Sequence, residues 1–381
     1  MDVYTDLGVE PVINAAGTLT RLSGSAMLPE VSDAMAAASR RFVDMEELHV
    51  AAGKRVASLI GVEAAHVCAC ATAGIAVMAA ACMAGVDRKK INQLPDTKGL
   101  KYKFIAHRAH RNSFDQALQI AGGRFVEIGA NAAELYKALE DGEVAAVFYT
   151  FSWFCTEDCL TLSQVAELAR ERGVPVIVDA AAEVPPVENL TRFIGEGADL
   201  VTFSGGKAMR GPQASGIILG RTDLIEACAA NDSPNMSIGR GMKAGKEEIV
   251  GCVKAVELYV KRDHAAELAV WEGRVAHVIS ALEDIDGVEV WRQMPYGIGQ
   301  HIPHVAVRWD EDELGATHQE VAARLKNGQP RIAVQWIHQS RYRFADEAGP
   351  QLRVHAHTLF EGEEVVVGQK FRELLAGINN S

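Results

Sequence analysis

The sequence predicts an α/β protein, with a large domain on a mostly parallel sheet followed by a small α+β C-terminal domain. Three observations predict it. Short runs that are apolar throughout alternate with helical patterns over the first two-thirds of the chain, the pattern changes near Lys246, and no repeat or low-complexity run interrupts either part. Pro29 to Ile60 reads as helical, with apolar positions at Val31, Met35, Phe42 and Met45, and it ends at Gly61, where a C-terminal cap glycine belongs. Ala73 to Met83 is a second helix. Phe104 to Ala106, Arg124 to Ile128, Val144 to Thr150, Val174 to Val178, Leu200 to Phe203 and Gly216 to Leu219 read as strands. Helical patterns at Ser113 to Ala121, Ala132 to Leu139 and Leu162 to Arg172 separate several of them. Strands apolar on both faces and spaced by helices require a parallel sheet covered on both sides. From Lys246 a long helical stretch runs to Glu283, followed by strands at Val288 to Trp291, Val305 to Val307, Ile332 to Val334 and Leu352 to Val354, and a closing helix from Glu361 to Ala376. The expected domains are therefore 1–245 and 246–381.

The composition narrows the function. Of 381 residues 48% are apolar and 23% charged, enough for cores of ordinary size. The formal charge of −12 disfavours a broad phosphate-backbone footprint, so no nucleic-acid partner is expected. The apolar stretch Ala64 to Ala84 contains Cys, His, Thr and Gly and is closed by Asp87, Arg88, Lys89 and Lys90, so no membrane span is expected. Met1 to Glu10 is acidic and lacks a secretory pattern, which points to a cytoplasmic protein. Seven cysteines form neither a CxxC pair nor a zinc set, so reduced thiols are expected.

Two segments carry chemistry. Val176-Ile177-Val178-Asp179 is an apolar strand ending in a carboxylate, at the sheet edge where open α/β folds bind ligands. The small residues after it, Ala181 among them, leave room for a flat group. Leu200-Val201-Thr202-Phe203-Ser204-Gly205-Gly206-Lys207 is another apolar strand ending in a hydroxyl, two glycines and a lysine. Asp179 and Lys207 lie 28 residues apart, so one helical excursion between neighbouring strands brings both to the same edge. A lysine in apolar surroundings loses its proton near neutral pH, and its amine then forms a Schiff base with an aldehyde. A carboxylate facing a pyridine nitrogen keeps that nitrogen protonated and makes the ring an electron sink. Together these describe a site for pyridoxal 5'-phosphate. The cofactor's phosphate needs donors. Thr72, Ala73 and Gly74 open a helix, where N–H groups and the Thr72 hydroxyl can face an anion, and Ser204 is a second candidate. No G-x-G-x-x-G follows an early strand, which sets aside a nicotinamide-binding enzyme.

Phe203-Ser204-Gly205-Gly206-Lys207-Ala208-Met209-Arg210-Gly211-Pro212-Gln213-Ala214-Ser215-Gly216 resembles the lysine segment of fold-type I pyridoxal phosphate enzymes of the bacterial selenocysteine synthase and D-glucosaminate-6-phosphate ammonia-lyase family. The resemblance extends to Val12-Ile13-Asn14-Ala15-Ala16-Gly17-Thr18-Leu19-Thr20, to Asp179-Ala180-Ala181-Ala182-Glu183 and to Gly239-Arg240-Gly241-Met242-Lys243. It implies an aspartate-aminotransferase-like large domain with a seven-stranded, mostly parallel sheet, a small C-terminal domain, and a homodimer or higher assembly with sites between subunits. It places His110 over the cofactor ring, with His107 and Phe114 as rivals. Arg240 and Lys243 lie on a loop that in relatives reaches the neighbouring subunit's cofactor. Arg353 stands where many fold-type I enzymes bind a substrate carboxylate, with Arg21 as its rival, and a planar guanidinium suits that task. Ser152 and Trp153 follow a strand and border the same edge, while His355 and His357 read as structural.

The expected activity acts on an amino acid or amino sugar acid through an α-carbanion, with Lys207 moving the α-proton, and a lyase that eliminates ammonia is the first choice. Racemisation, epimerisation and transamination share the same carbanion. Selenium transfer on seryl-tRNA ranks below them because of the charge, and because Val12-Ile13-Asn14 stands so near the start that no additional tRNA-binding domain is expected. A non-catalytic binding module would have no need of both Lys207 and Asp179.

Overall fold

The computed structural model describes residues 3–152, 155, 159–295, 299–337 and 349–379. Its strands are β1 (Ile13–Ala15), β2 (Ala64–Cys68), β3 (Lys103–His107), β4 (Arg124–Ile128), β5 (Val144–Thr150), β6 (Val176–Asp179), β7 (Leu200–Ser204), β8 (Gly216–Gly220), β9 (Val288–Gln293), β10 (His304–Trp309), β11 (Ile332–Ile337) and β12 (Gln351–His355). The chain divides into two compact units, a larger one of Ala26–Arg262 with Ile298–Gln300, and a smaller one of Met1–Ser25, Asp263–Gly297 and His301–Ser381.

The larger unit holds a seven-stranded sheet in the order β2-β8-β7-β6-β5-β3-β4. β8 runs antiparallel to both neighbours, and the other pairings are parallel. Every residue of β5, β6 and β8 is buried. Successive side chains point to opposite faces and so feed two cores. Val147, Tyr149, Val176, Val178 and Val201 pack on one face. Phe148, Ile177, Leu200 and Ile218 pack on the other, against the helix Ala71–Ala84. That helix is buried nearly all round, and its alanines and glycine let it lie close to the strands. A Cβ on Gly74 would stand 2.5 Å from Thr202 Oγ1, and one on Gly216 would stand 2.7 Å from the carbonyl carbon of Cys70.

Two long helical readings are each broken by an aspartate. Pro29 to Ile60 is two helices, Pro29–Ser39 and Met45–Ile60, because Asp44 accepts from the N–H groups of Glu46 and Glu47 and starts the second. Lys246 to Glu283 breaks the same way at Asp263, which caps His264–Leu282 by accepting from Ala266. β2, within the apolar run Ala64 to Ala84, escaped the periodicity reading because it is followed directly by a helix as apolar as itself.

The smaller unit carries a five-stranded sheet, β1-β11-β12-β10-β9, with only β1–β11 parallel among the described pairings. Its core joins Val275, Val278 and Leu282 of one helix, Phe371 and Leu375 of Glu363–Asn379, and Val305, Ile332, Leu352 and Val354 of the sheet. The N-terminal motif is pinned here. Asn14 Oδ1 accepts from the Ala16 N–H at 3.0 Å, its amide donates to the Gly17 carbonyl, and Thr358 Oγ1 donates to the Asn14 carbonyl at 2.7 Å. Gly17 has φ +87°, a left-handed conformation that favours glycine, and a Cβ there would press on the His355 ring at 3.3 Å.

These units differ from the sequence boundary at 245/246. The first 25 residues join the C-terminal part, because β1 extends its sheet beside β11. The helix Lys246–Lys261 stays with the larger unit, because Gly251 brings it against Met35 of the helix Pro29–Ser39. No helix among the described residues is long and apolar enough to cross a membrane, and all seven cysteines are free.

Gly216→Ala is expected to destabilise the protein by about 1–3 kcal/mol, because the atoms its methyl would meet belong to the backbone of a helix start and cannot rotate away. Urea unfolding of the variant beside wild type measures this.

Candidate active site

The parallel strands end together, and the loops leaving them are laced to one another. Asp179 is the last residue of β6, in register with Thr150 of β5 and Thr202 of β7. The Ala180 N–H donates to the Thr202 carbonyl at 3.1 Å, the Ala181 N–H to Asp179 Oδ1 at 3.0 Å, and the Ser204 N–H to the Ala181 carbonyl at 3.1 Å. These bonds hold the loop after β6 beside the end of β7, three residues before Lys207. The lysine loop then doubles back, with the Gly205 N–H donating to Ser215 and the Gly211 N–H to Gly205. A Cβ on Gly205 would lie 2.2 Å from Ser215 Oγ, and one on Gly206 would lie 2.6 Å from the Cα of Gln213. The two glycines are therefore what allow the lysine to be presented at this edge.

Electrostatics couples the groups so gathered. Burial pushes the Lys207 amine below the usual lysine range, opposed by the charges of Asp179 and then Glu183. Burial likewise raises the Asp179 carboxyl to about 6, offset by the Ala181 N–H and by Lys207, while Asp115 adds to the rise. Glu183 is raised to about 7, again by burial. Sequence reasoning did not single out Glu183. Its signal was present, since it closes the Asp179-Ala180-Ala181-Ala182-Glu183 motif, but only the fold shows that its carboxyl turns inward.

Three aromatic residues border the edge. His110 is buried, its Nδ1 accepts from the Thr150 N–H at 3.4 Å, and its ring meets Tyr149 edge-on at 4.5 Å. His107 donates from Nδ1 to the Gly129 carbonyl at 3.0 Å, and burial lowers its pKa. Phe114 is exposed.

At the helix start, Cys70 is the cap and accepts from the Ala73 N–H through its sulfur, while the Gly74 N–H donates to the Cys70 carbonyl. Ala73 and Gly74 therefore contribute close packing, whereas the Thr72 side chain is exposed at the first turn. Gly216 touches Cys70 and pairs with Ser204, so the helix start lies next to the end of β7. Ser152 is partly buried and its carbonyl accepts from Cys155, and Trp153 lies outside the described residues. Arg240 and Lys243 are exposed on the single chain.

In the smaller unit, Arg353 is buried in the middle of β12, opposite Ala306 and Gln335, and burial lowers its guanidinium to about 10. With its amide oxygen turned inward, Gln351 accepts from Arg353 Nε and Nη2 at 2.8 Å each. Arg21 is exposed. His355 donates from Nε2 to Gln335 at 2.7 Å, and both it and His357 are pushed well toward the neutral form by burial. No group of His, Cys, Asp or Glu among the described residues could hold a metal.

The donor set fits pyridoxal phosphate. A buried carboxyl with one oxygen tied back ends one strand and an amine of lowered basicity follows the end of its neighbour, while a helix start with an exposed hydroxyl lies beside them. A seven-stranded sheet of this order carrying such a pair defines a fold-type I pyridoxal phosphate-dependent enzyme. The family model "SelA: L-seryl-tRNA selenium transferase" matches residues 143–271. The chain is 32% identical to the D-glucosaminate-6-phosphate ammonia lyase of Salmonella typhimurium, over 98% of each chain. It is 34% identical to a 5'-C-glycyluridine monooxygenase-decarboxylase of a Streptomyces species, over 98% of this chain and 92% of that protein. A solved structure of D-glucosaminate-6-phosphate ammonia-lyase superposes with a TM-score of 0.85 at 31% identity, covering 99% of both chains. Serine palmitoyltransferase of Sphingomonas wittichii, at 13% identity, a TM-score of 0.61, and coverage of 97% of this chain and 88% of that one, shares the fold. The chain belongs to the SelA-like family of pyridoxal phosphate enzymes that includes D-glucosaminate-6-phosphate ammonia lyase.

The raised carboxyl has a cost for the cofactor-free protein. Asp179 moves from an ordinary 3.8 to about 6, so across that window the native state holds a proton the unfolded chain has lost. Stability therefore falls as pH rises from about 4 to 6, and the full penalty stands above it. Asp179→Asn is expected to stabilise the cofactor-free protein by about 2–3 kcal/mol at pH 7.5, with the gain vanishing near pH 4. Urea midpoints at the two pH values check this.

Proposed function

We propose that this chain is a pyridoxal phosphate-dependent lyase that removes the α-proton and expels the β-hydroxyl of an amino sugar acid, so that water then displaces the nitrogen as ammonia and leaves a keto acid. The observation that carries the reading is the coupled Asp179–Lys207 pair, in a chain that matches an ammonia lyase of such a substrate along its whole length. When bound, the cofactor supplies an aldehyde for the amine and a protonated ring that draws in the electron pair released at the substrate's α-carbon.

The chain's own groups do the rest. Lys207 holds the cofactor and, once freed, carries the α-proton on Nζ, for which its lowered basicity suits it. Asp179, ionised above about pH 6, keeps the ring nitrogen charged. When the cofactor is bound, His110 would lie against the ring, Ala181 would leave room for it, and Thr72 and Ser204 would donate to the phosphate. Arg240 and Lys243, exposed on one chain, complete the phosphate site of a neighbouring copy in a homodimer. Arg353 takes the substrate carboxylate, with Arg21 as the rival, and Ser152 and Trp153 border the substrate. The charge of −12 disfavours a tRNA substrate. The monooxygenase-decarboxylase relative makes loss of the substrate's carboxylate as carbon dioxide, which leaves the electron pair on the α-carbon in place of proton removal, the second reading.

Incubating the cofactor-loaded protein with a panel of D- and L-amino acids and amino sugar acids should give ammonia and a keto acid from one class of substrate, and activity should fall by at least about 10²-fold in Lys207→Ala. Carbon dioxide without ammonia would favour the second reading, and a purified protein that takes up no cofactor would overturn both. Arg353→Lys, which keeps charge but not the planar fork, should lower kcat/KM by about 10- to 100-fold, mainly through KM. A kcat loss at unchanged KM would point to Arg21 instead.

A further inference from the structure

The loop that carries Arg240 and Lys243 is fastened to the sheet at a buried point. His66 lies on β2, at the outer edge of the seven-stranded sheet, and its Nε2 donates to Asp232 Oδ2 at 2.9 Å. The two side chains are only 3% and 4% exposed. Asp232 follows the helix Thr222–Asn231 and opens the loop, and its other oxygen, Oδ1, accepts from the Ser233 N–H at 2.7 Å. The carboxylate thus joins strand to loop, with one oxygen on each.

The loop closes on that carboxylate. Asp232 bridges to Gly239, whose N–H donates to the Asn231 carbonyl at 3.0 Å, and a Cβ on Gly239 would stand 2.6 Å from Asp232 Oδ1. Arg240 is the next residue. Its N–H donates to the Ser237 carbonyl at 3.1 Å, Ser237 Oγ donates to the Asn231 carbonyl at 2.7 Å, and the Met242 N–H donates to the Gly239 carbonyl at 2.8 Å. A third residue holds the plane of the histidine. The His49 ring, on the helix Met45–Ile60, stacks on His66 with centroids 5.1 Å apart and planes 15° from parallel. His49 is buried and neither of its ring nitrogens meets a hydrogen-bond partner among the described residues, so it serves as a flat surface. Gly53 lets that helix approach the strand, since a Cβ there would lie 2.3 Å from the Ala65 carbonyl oxygen.

A buried polar pair adds little stability, because apolar side chains of the same volume hold two elements at least as well. What a hydrogen bond adds is direction. We propose that His66 and Asp232 are positioning residues for the cofactor's phosphate, fixing the angle at which this loop presents Arg240 and Lys243, while His49 keeps the His66 ring in line. The inference rests on the reading of Arg240 and Lys243 as phosphate ligands in a neighbouring copy.

The test is the affinity of cofactor-free protein for pyridoxal phosphate, titrated by absorbance. His66→Leu removes the donor and should weaken binding by about 10-fold, and His66→Gln, which keeps an N–H of similar reach, should recover most of the loss. In an Arg240→Ala, Lys243→Ala background His66→Leu should change the affinity by less than about 2-fold, because the groups it positions are gone. An equal loss in both backgrounds would mark a general loosening of the fold and overturn the proposal, as would a His66→Leu protein that binds as tightly as wild type. If His66→Leu does not fold, Asp232→Asn, which keeps the size but not the charge of the acceptor, takes its place in the same comparison. Unchanged affinity in Arg240→Ala, Lys243→Ala alone would remove the loop from the phosphate site, and this inference with it, while leaving the role of Lys207 intact. No uptake by wild type would overturn the cofactor reading itself.

Discussion

The structure depends on one adjacency, the ends of β6 and β7 held side by side by backbone hydrogen bonds that run through Ala180, Ala181, Thr202 and Ser204. Because the strands are parallel neighbours, a carboxylate that ends one and a lysine just past the other are delivered to the same buried corner. Neither side chain needs to search for the other. The corner's low polarity then raises the carboxyls and lowers the amine, so the same burial that brings the groups together also sets their proton affinities.

Such a corner is costly, and the surrounding sheet meets the cost. Burying ionisable groups disfavours folding unless the scaffold is stable without them. Here the central strands are buried on both faces, with valine, isoleucine and phenylalanine alternating into two cores. Glycines make the approach distances short where side chains would hold elements apart. Gly74 and Gly216 seat the helix start against β7 and β8, and Gly205 and Gly206 fold the lysine loop onto Pro212–Ser215. The smaller unit relies on the same devices for another purpose. Asn14, Gly17 and Thr358 lock the N-terminal strand onto the last strand's end, next to histidines that burial keeps neutral.

Much of this was legible in the residue order. Apolar runs such as Val144 to Thr150 and Val176 to Val178 announce parallel strands, because only a strand covered on both faces has no need of polar alternation. Asp179 and the Ser204-Gly205-Gly206-Lys207 run announce a site, since a carboxylate and a lysine at strand ends are otherwise placed at a loss. The misreadings have physical causes too. Asp44 and Asp263 end helices by capping the next one, a local hydrogen bond that hydrophobic periodicity does not register. β2 was hidden because buried strand and buried helix have the same composition.

By itself, then, the amino-acid order determined the α/β class and the family, because each rests on residue type and short-range spacing. The tertiary structure decided which groups share a low-polarity environment. Glu183 enters the corner because Gly299 and Gln300, more than a hundred residues later in the chain, close over it. Ala73 and Gly74 became packing residues because their N–H groups are taken within the first helical turn. Burial and partnership arise from elements distant in the chain, and no local pattern encodes them.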